Sequence, residues 1–232
     1  MLKKWKELPK QMQNDCVQEY YQMIAEKQSK IRFKRMMDVF LASILTVLFA
    51  PVMIVIAVII KKDSRGPVFY RQERITRYGK PYRIFKFRTM VMDADQKGPL
   101  LTQSEDHRIT KVGQRLRKLR LDELPQLFNV LRGDMSFVGT RPEVAKYVEQ
   151  YTEEMMATLL LPAGITSNAS IACKDEDTMI AQYQKKYGTT VDETYVQYLL
   201  PEKMKQNLEY LERFGAMEDM KIMIKTALTV LR

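Results

Sequence analysis

Hydrophobic and polar positions are unevenly distributed along this chain. From Val39 to Ile60 the sequence VFLASILTVLFAPVMIVIAVII runs 22 residues without a charge, enough to cross a hydrocarbon core of about 30 Å as one straight helix. No other stretch comes near it. Before it, Met12, Cys16, Val17, Tyr20 and Ile24 recur at helical spacing. Residues 1–36 therefore read as an amphipathic helix leading into a basic stretch, suited to a membrane surface or a partner chain. After it, VFYRQERITRYGKPYRIFKF alternates large apolar residues with charged ones about RYGKP, the pattern of a β-hairpin closed by a glycine-containing turn. MDADQKGPLLTQSEDHRIT is polar and turn-rich, and reads as a loop. Val112, Leu116 and Leu119 predict a short helix whose other face carries Arg115, Arg117 and Lys118. Late in the chain Met220, Met223, Ile224, Ala227, Leu228 and Leu231 repeat at helical spacing, a stripe that usually belongs to a core, and Pro201 suits the first turn of a preceding helix. The fold class expected is α+β, mostly helical with a short β-hairpin. There is no internal repeat or low-complexity tract.

Pro51 lies near the middle of the apolar run, where it removes a backbone donor and crowds the preceding turn, so a kink or break is expected there. Both flanks are basic: KIRFKR precedes the run and KKDSR follows it. A spanning helix puts only one flank on the cytoplasmic side, where Lys and Arg are favoured; a hairpin that dips in and returns puts both there. On these grounds a single-pass anchor with a tolerated proline stands level with the hairpin. The run starts too late and is too long for a cleaved signal peptide.

Net charge is +10, concentrated in one region. Residues 61–120 hold 17 basic and 6 acidic residues, whereas residues 121–232 hold 12 basic and 17 acidic. So basic a segment expects phosphates, whether on lipid, nucleotide or nucleic acid. Two cysteines, Cys16 and Cys173, and a single histidine, His107, leave no disulfide framework and no ordinary zinc site. A serine triad could use only His107, in the polar stretch QSEDHRITK, which reads as a solvated loop.

The candidate chemistry lies in RLDELPQLFNVLRGDMSFVGTRPE, from Arg120 to Glu143. Pro125 is at home in a helix first turn, so a helix beginning near Asp122 would set Asp122 and Glu123 at its N-terminus. A plain cap accounts for that much, since Asp is a favoured N-cap and Glu suits the dipole. The basic segment leading into the pair also makes an anion site there plausible on physical grounds. Neighbouring helical residues point about 100° apart, so one carboxylate can face phosphorus and the other a divalent ion. Mg²⁺ favours a few carboxylates together with phosphate oxygens. A carboxylate can attack phosphorus when cations absorb the charge of the transferring group. Arg132 and Arg141 follow among Gly133, Gly139 and Pro142, a turn-rich setting able to return an arginine fork to the site. Arg88 and Arg117, from the basic segment, join Arg141 as expected phosphate ligands.

KRMMD at 34–38, GPVFYRQER at 66–74, KFRTM at 86–90, LDELPQLFNVLRGDMSFVG at 121–139 and RPE at 141–143 closely resemble the bacterial sugar transferase family, the monotopic phosphoglycosyl transferases. The resemblance runs from about Lys34 to Arg232 and is loosest after Leu161. It implies transfer of a sugar 1-phosphate from a UDP-sugar to undecaprenyl or another polyprenyl phosphate, releasing UMP, at the cytoplasmic face of the bacterial inner membrane. By the same resemblance Asp122 is the nucleophile that carries the phosphosugar, Glu123 with Asp122 serves Mg²⁺, and Arg141, in a Pro-Arg-Pro turn, holds phosphate. It also implies a re-entrant helix-hairpin broken at a proline, here Pro51. The domains expected are an amphipathic extension over 1–36, the membrane hairpin over 37–62 and a cytoplasmic catalytic domain over 63–232.

Three positions depart from the family pattern: Ala50 stands where serine is common before the proline, Thr140 replaces the first proline of Pro-Arg-Pro, and AGITSNASI at 163–171 varies the usual sequence. The expected partners are the UDP-sugar, the polyprenyl phosphate and membrane lipid, not nucleic acid, with homo-oligomerisation left open. A basic membrane-surface adaptor, with the acid pair as a mere cap, is the non-catalytic alternative.

Overall fold

The computed structural model describes residues 2–94 and 106–231; most of the expected loop over MDADQKGPLLTQSEDHRIT lies outside them. Helix α1 (Asp15–Ala25) starts at Asn14, whose side chain accepts the Val17 N–H. It buries Val17 and Ile24, while Cys16 is exposed. With Leu2, Leu8 and Met12 these side chains enter the main core, among Leu160, Leu208 and Leu211. The amphipathic face expected to meet a membrane surface or a partner chain is thus covered by the chain itself.

Helix α2 (Gln28–Asp63) takes in the whole apolar run, and the helix continues through Pro51. The expected break into two helices is therefore not seen: proline deletes one donor, the one that would serve the Val47 carbonyl, and the adjacent turns keep their bonds. Two separate stretches of α2 are buried. Ala42 packs with Tyr82, Ile84, Leu127 and Val130, and Met53, Ile56 and Ile60 pack with Phe87 and Leu116. From 43 to 52 no residue is buried, and Val47 is 76% exposed. Polar bonds fix the first half: Arg35 donates to the Val130 and Leu131 carbonyls, Lys34 pairs with Asp219 at 2.7 Å, and Asp38 accepts the Phe137 N–H at 3.2 Å.

The hairpin forms as expected. Strands β2 (Glu73–Thr76) and β3 (Lys80–Arg83) pair antiparallel, and β1 (Phe69–Tyr70) pairs with β4 (Lys86–Phe87) beyond them. The turn between β2 and β3 sets Tyr78 and Gly79 at φ of 62° and 70°, left-handed geometry that explains the glycine. Helix α3 (Lys111–Lys118) is capped by Thr110 and buries Leu116, although Leu119, expected on the same face, is exposed. A single turn, Leu121–Glu123, then leads to α4 (Gln126–Arg132), which Gly133 ends at φ 87°.

Strand β5 (Met135–Val138), the short helix α5 (Ala145–Val148) and strand β6 (Ala163–Thr166) follow, with β5 and β6 parallel in the register Met135↔Ala163. Helices α6 (Asn168–Ala172), α7 (Glu176–Tyr187) and α8 (Val191–Thr194) lead into a wide turn, Tyr195–Leu199, that continues as α9 (Leu200–Arg213). Pro201 does sit in the first turn of α9, but the chain enters it without leaving the helix. The Leu200 N–H reaches back five residues to the Tyr195 carbonyl, a π-type bond that accommodates the proline.

In the last helix, α10 (Ala216–Leu231), only Met223 of the expected core stripe is seen to pack against the main core. Met220, Ile224 and Leu228 are exposed, and Ile222 is buried instead. Inward polar bonds set this rotation: Asp219 accepts from Lys34 and Tyr210, and the Thr226 hydroxyl meets that of Thr166.

Candidate active site

The acid pair lies in the single turn between α3 and α4. Arg120 ends α3 in left-handed geometry, φ 54°, an uncommon state for a residue with a Cβ, and this turns the next three residues back over the hairpin. Asp122 is buried, but it is not the cap that the simplest reading required. Its Oδ1 is enclosed with no hydrogen-bond partner among the described residues, and α4 begins only at Gln126, after Pro125.

Glu123 has the opposite surroundings. Its Oε1 accepts from Lys86 Nζ at 3.0 Å and Arg141 Nη2 at 3.3 Å, with Arg120 Nη1 at 3.8 Å. Lys86 comes from β4 and Arg141 from the segment after β5, so three parts of the chain meet on one oxygen. Burial alone would raise the Glu123 carboxyl, but Lys86, Arg141 and Arg120 outweigh it and hold the group well below the usual carboxylate range. Asp122 moves the other way. Burial raises it and the charge of Glu123 adds to that, against the opposing pull of Lys86, Arg117 and Arg120. Lys86 is lowered by burial and by Arg141, with Glu123 countering. Two neighbouring carboxyls thus carry opposite shifts, a common arrangement where acid and base roles are divided.

Arg141 is placed by a close backbone crossing. A Cβ on Gly139 would lie 2.4 Å from the Pro162 carbonyl oxygen, and one on Gly164 would lie 2.2 Å from the Gly139 nitrogen. Only glycines let β5 and β6 approach so closely at their ends. Thr140, which stands in for a proline, is held by other means: its carbonyl accepts the Gly164 N–H at 2.9 Å, and its hydroxyl reaches the Thr158 carbonyl at 3.5 Å. Arg74 donates to the Pro142 carbonyl at 3.1 Å. The turn is therefore pinned despite the missing ring.

The other expected phosphate ligands differ. Arg117 on α3 lies near enough for its charge to favour ionised Asp122. Arg88 does not face the site. It is buried, and it donates to the carbonyls of Ser64 at 2.9 Å, Arg65 at 2.6 Å and Pro67 at 2.7 Å. A guanidinium committed to three backbone acceptors is a clamp on the segment that follows α2, and its assignment to substrate is corrected accordingly. Arg132, the other arginine downstream of the acid pair, lies over the Phe85 ring, 4.9 Å from its centre.

Residues 29–232 match the model of the bacterial sugar transferase family. This chain belongs to the bacterial sugar transferase family. Its relatives in that family include the UDP-N-acetylgalactosamine-undecaprenyl-phosphate N-acetylgalactosaminephosphotransferase of Aeromonas hydrophila, 37% identical over 201 residues, which cover 85% of this chain and 43% of that one. The UDP-glucose:undecaprenyl-phosphate glucose-1-phosphate transferase of Klebsiella pneumoniae is 45% identical over 143 residues, covering 60% of this chain and 30% of that one. The enzyme of the same name from Caulobacter vibrioides is 36% identical over 201 residues, 85% of this chain and 69% of its own. This chain thus spans less than half of the Aeromonas and Klebsiella proteins.

The family resemblance implies Mg²⁺, and the donor set fits it. Every polar contact that Glu123 makes among the described residues falls on Oε1, leaving Oε2, and Asp122 Oδ1 has no partner. Two carboxylate oxygens together with substrate phosphate suit a hard ion that keeps some water. Sequence reasoning missed a buried cluster just behind the site. Glu143 accepts from the Tyr195 hydroxyl and from Lys203 at 3.0 Å, and Lys203 also reaches Glu176 at 3.4 Å. Glu143 directly follows Arg141-Pro142, but its partners are more than fifty residues away in sequence, and no local pattern connects them.

Proposed function

We propose that this chain transfers a sugar 1-phosphate from a UDP-sugar to a polyprenyl phosphate at a membrane surface, through a phosphosugar held on Asp122. The observation that carries the reading is the contrast within the acid pair: a buried carboxylate with no hydrogen bond on Oδ1, beside one clamped by Lys86 and Arg141. An oxygen stripped of hydrogen bonds is a stronger nucleophile, and cations already in place can meet charge that develops on phosphorus.

In the first step an Asp122 oxygen attacks the β-phosphorus of the UDP-sugar. The bond from that phosphorus to the bridging oxygen breaks, and UMP leaves with the electron pair. In the second step an oxygen of the polyprenyl phosphate attacks the same phosphorus, and the Asp122 carboxylate is released. Glu123 orients Lys86 and Arg141, and Arg141 binds phosphate oxygens. Mg²⁺, bound by Glu123 and Asp122, would neutralise diphosphate charge. The named relatives differ in their sugar, N-acetylgalactosamine in one and glucose in another, so the donor is to be found by a UDP-sugar screen.

The acceptor is a lipid, and the membrane segment suits it. Among the described residues one helix is long and apolar enough to cross a membrane, yet both of its ends are tied to the domain that bears Asp122: Arg35 holds one to α4, and Arg88 holds the segment after the other. The ten residues from 43 to 52, none of them fully buried, extend about 15 Å as helix, half a hydrocarbon core. We read this as a segment that bends about Pro51 without leaving the helix, so that it dips in and returns, with the site at the cytoplasmic face of the inner membrane.

Incubating the protein with Mg²⁺ and each UDP-sugar, then mapping peptides by mass, tests the chemistry. A phosphosugar on the peptide carrying Asp122 is expected. UMP release with that peptide never modified would overturn the covalent route.

A further inference from the structure

Outside the site, Arg71, Arg83 and Arg132 form a cluster with no counter-ion in contact among the described residues. None of the three makes a side-chain hydrogen bond or ion pair with the described residues; the carboxylate that acts on Arg71 from a distance is Asp134. All three are exposed. Two of them share one ring: the Arg71 guanidinium lies 3.7 Å and that of Arg132 4.9 Å from the centre of Phe85. Like charges gathered on a ring repel each other, and after burial the nearby Arg132 and Arg83 are what lower Arg71. Stacking leaves the in-plane N–H donors of a guanidinium free, and their fork matches phosphate.

Phe85 also locates the cluster. Its ring meets Phe69 at 6.1 Å and Phe128 at 5.8 Å, and Phe69 stacks on Phe87 at 5.6 Å. Phe87 packs against Met53, Ile56 and Ile60 of the apolar helix, so the arginines are a few aromatic rings from the segment that would enter lipid. Because Phe85 and Phe87 both meet Phe69, they share a face of the strand, and Lys86 between them points the other way, to Glu123.

We propose that Arg71 and Arg132, held over Phe85 and supported by Arg83, bind the phosphate of an anionic bilayer phospholipid. The occupant is not the reacting polyprenyl phosphate, because the cluster is on the reverse of the strand whose Lys86 faces the acid pair. The inference rests on the membrane-surface placement proposed above, not on the phosphosugar chemistry.

The test is native mass spectrometry of the full-length protein in detergent, titrated with phosphatidylglycerol, phosphatidylcholine or polyprenyl phosphate. The wild type is expected to retain phosphatidylglycerol over phosphatidylcholine. R71Q/R132Q should weaken that retention about tenfold or more, since two charge-assisted contacts are removed, whereas K4Q/K6Q, with the same change in charge, should not. Equal losses in the two variants, or none in R71Q/R132Q, would overturn the site. Loss of polyprenyl phosphate rather than phosphatidylglycerol would reassign it to the acceptor. Trapping of the Asp122 adduct stands independently of each outcome.

Discussion

Replacing Asp122 with asparagine separates chemistry from structure. The side chain keeps its shape, but the residue loses its negative charge and its ability to form an acyl phosphate. Turnover should fall by about 10⁴-fold or more, as when other covalent nucleophiles are removed. Stability should move the other way or stay level. Asp122 Oδ1 is enclosed and unpartnered, next to an ionised Glu123, and an unsatisfied buried polar group costs about 1–3 kcal/mol. An asparagine amide there keeps part of that cost and removes the like-charge repulsion. A net gain of about 1 kcal/mol would raise Tm by roughly 2–4 °C in a chain of this size. The pH dependence gives a second readout. Burial raises the Asp122 carboxyl in the folded chain, so between the ordinary Asp range and that raised value the folded state binds more protons, and stability falls as pH rises. D122N should lack that fall. The assays are UMP release, thermal melts across pH 4–8 in the same detergent, and adduct trapping. Turnover kept in D122N, with Tm changed only modestly because Asn caps about as well as Asp, would mean that Asp122 is a cap after all.

Other predictions follow from the neighbours. K86M removes the nearest cation from Glu123. It should cost about 1–3 kcal/mol and shift the acid limb of the activity profile upward, because a carboxyl held low contributes stability above its ordinary range that is lost as pH falls through its folded value. An unmoved acid limb would exclude Glu123 as the group that sets it. R88K should lower Tm by several degrees, since one ammonium cannot serve three divergent carbonyls, while KM for the donor, measured below the melt, stays within about twofold; a large rise in KM would return Arg88 to the substrate. Single cysteines at positions 30 and 62, in a chain cleared of Cys16 and Cys173, should both react with an impermeant reagent from the cytoplasmic side. Labelling from opposite sides would make α2 a spanning helix.

Where pattern is local, the sequence predicted the structure well. The hairpin about RYGKP, the helix after Thr110 and the apolar helix each follow from spacing within a dozen or so residues. Residues whose roles depend on distant partners were less legible. Lys86 and Arg88 alternate along one strand end and look alike, yet one meets Glu123 and the other three carbonyls after α2. Met220, Ile224 and Leu228 read as core because periodicity defines a stripe without saying which way it faces; Asp219 and Thr226, bonded inward, decide that. At Pro51 a kink or break was expected, and the helix runs on through it because the turns on either side carry it past one lost donor. At the candidate site, the motif marked Asp122, Glu123 and Arg141, and the structure does bring Arg141 onto Glu123, but the Gly139–Gly164 crossing that does so depends on a strand pairing across nearly thirty residues.

Helix α4 joins Arg35, which holds its last carbonyls, to the turn bearing Asp122. Seven helical residues make a strut of about 10 Å, with no flexible linker in it. On the proposed reading, the height of Asp122 above the lipid is then set by the depth at which the apolar helix settles, and thinning or thickening the host membrane would raise or lower the reacting group with its anchor.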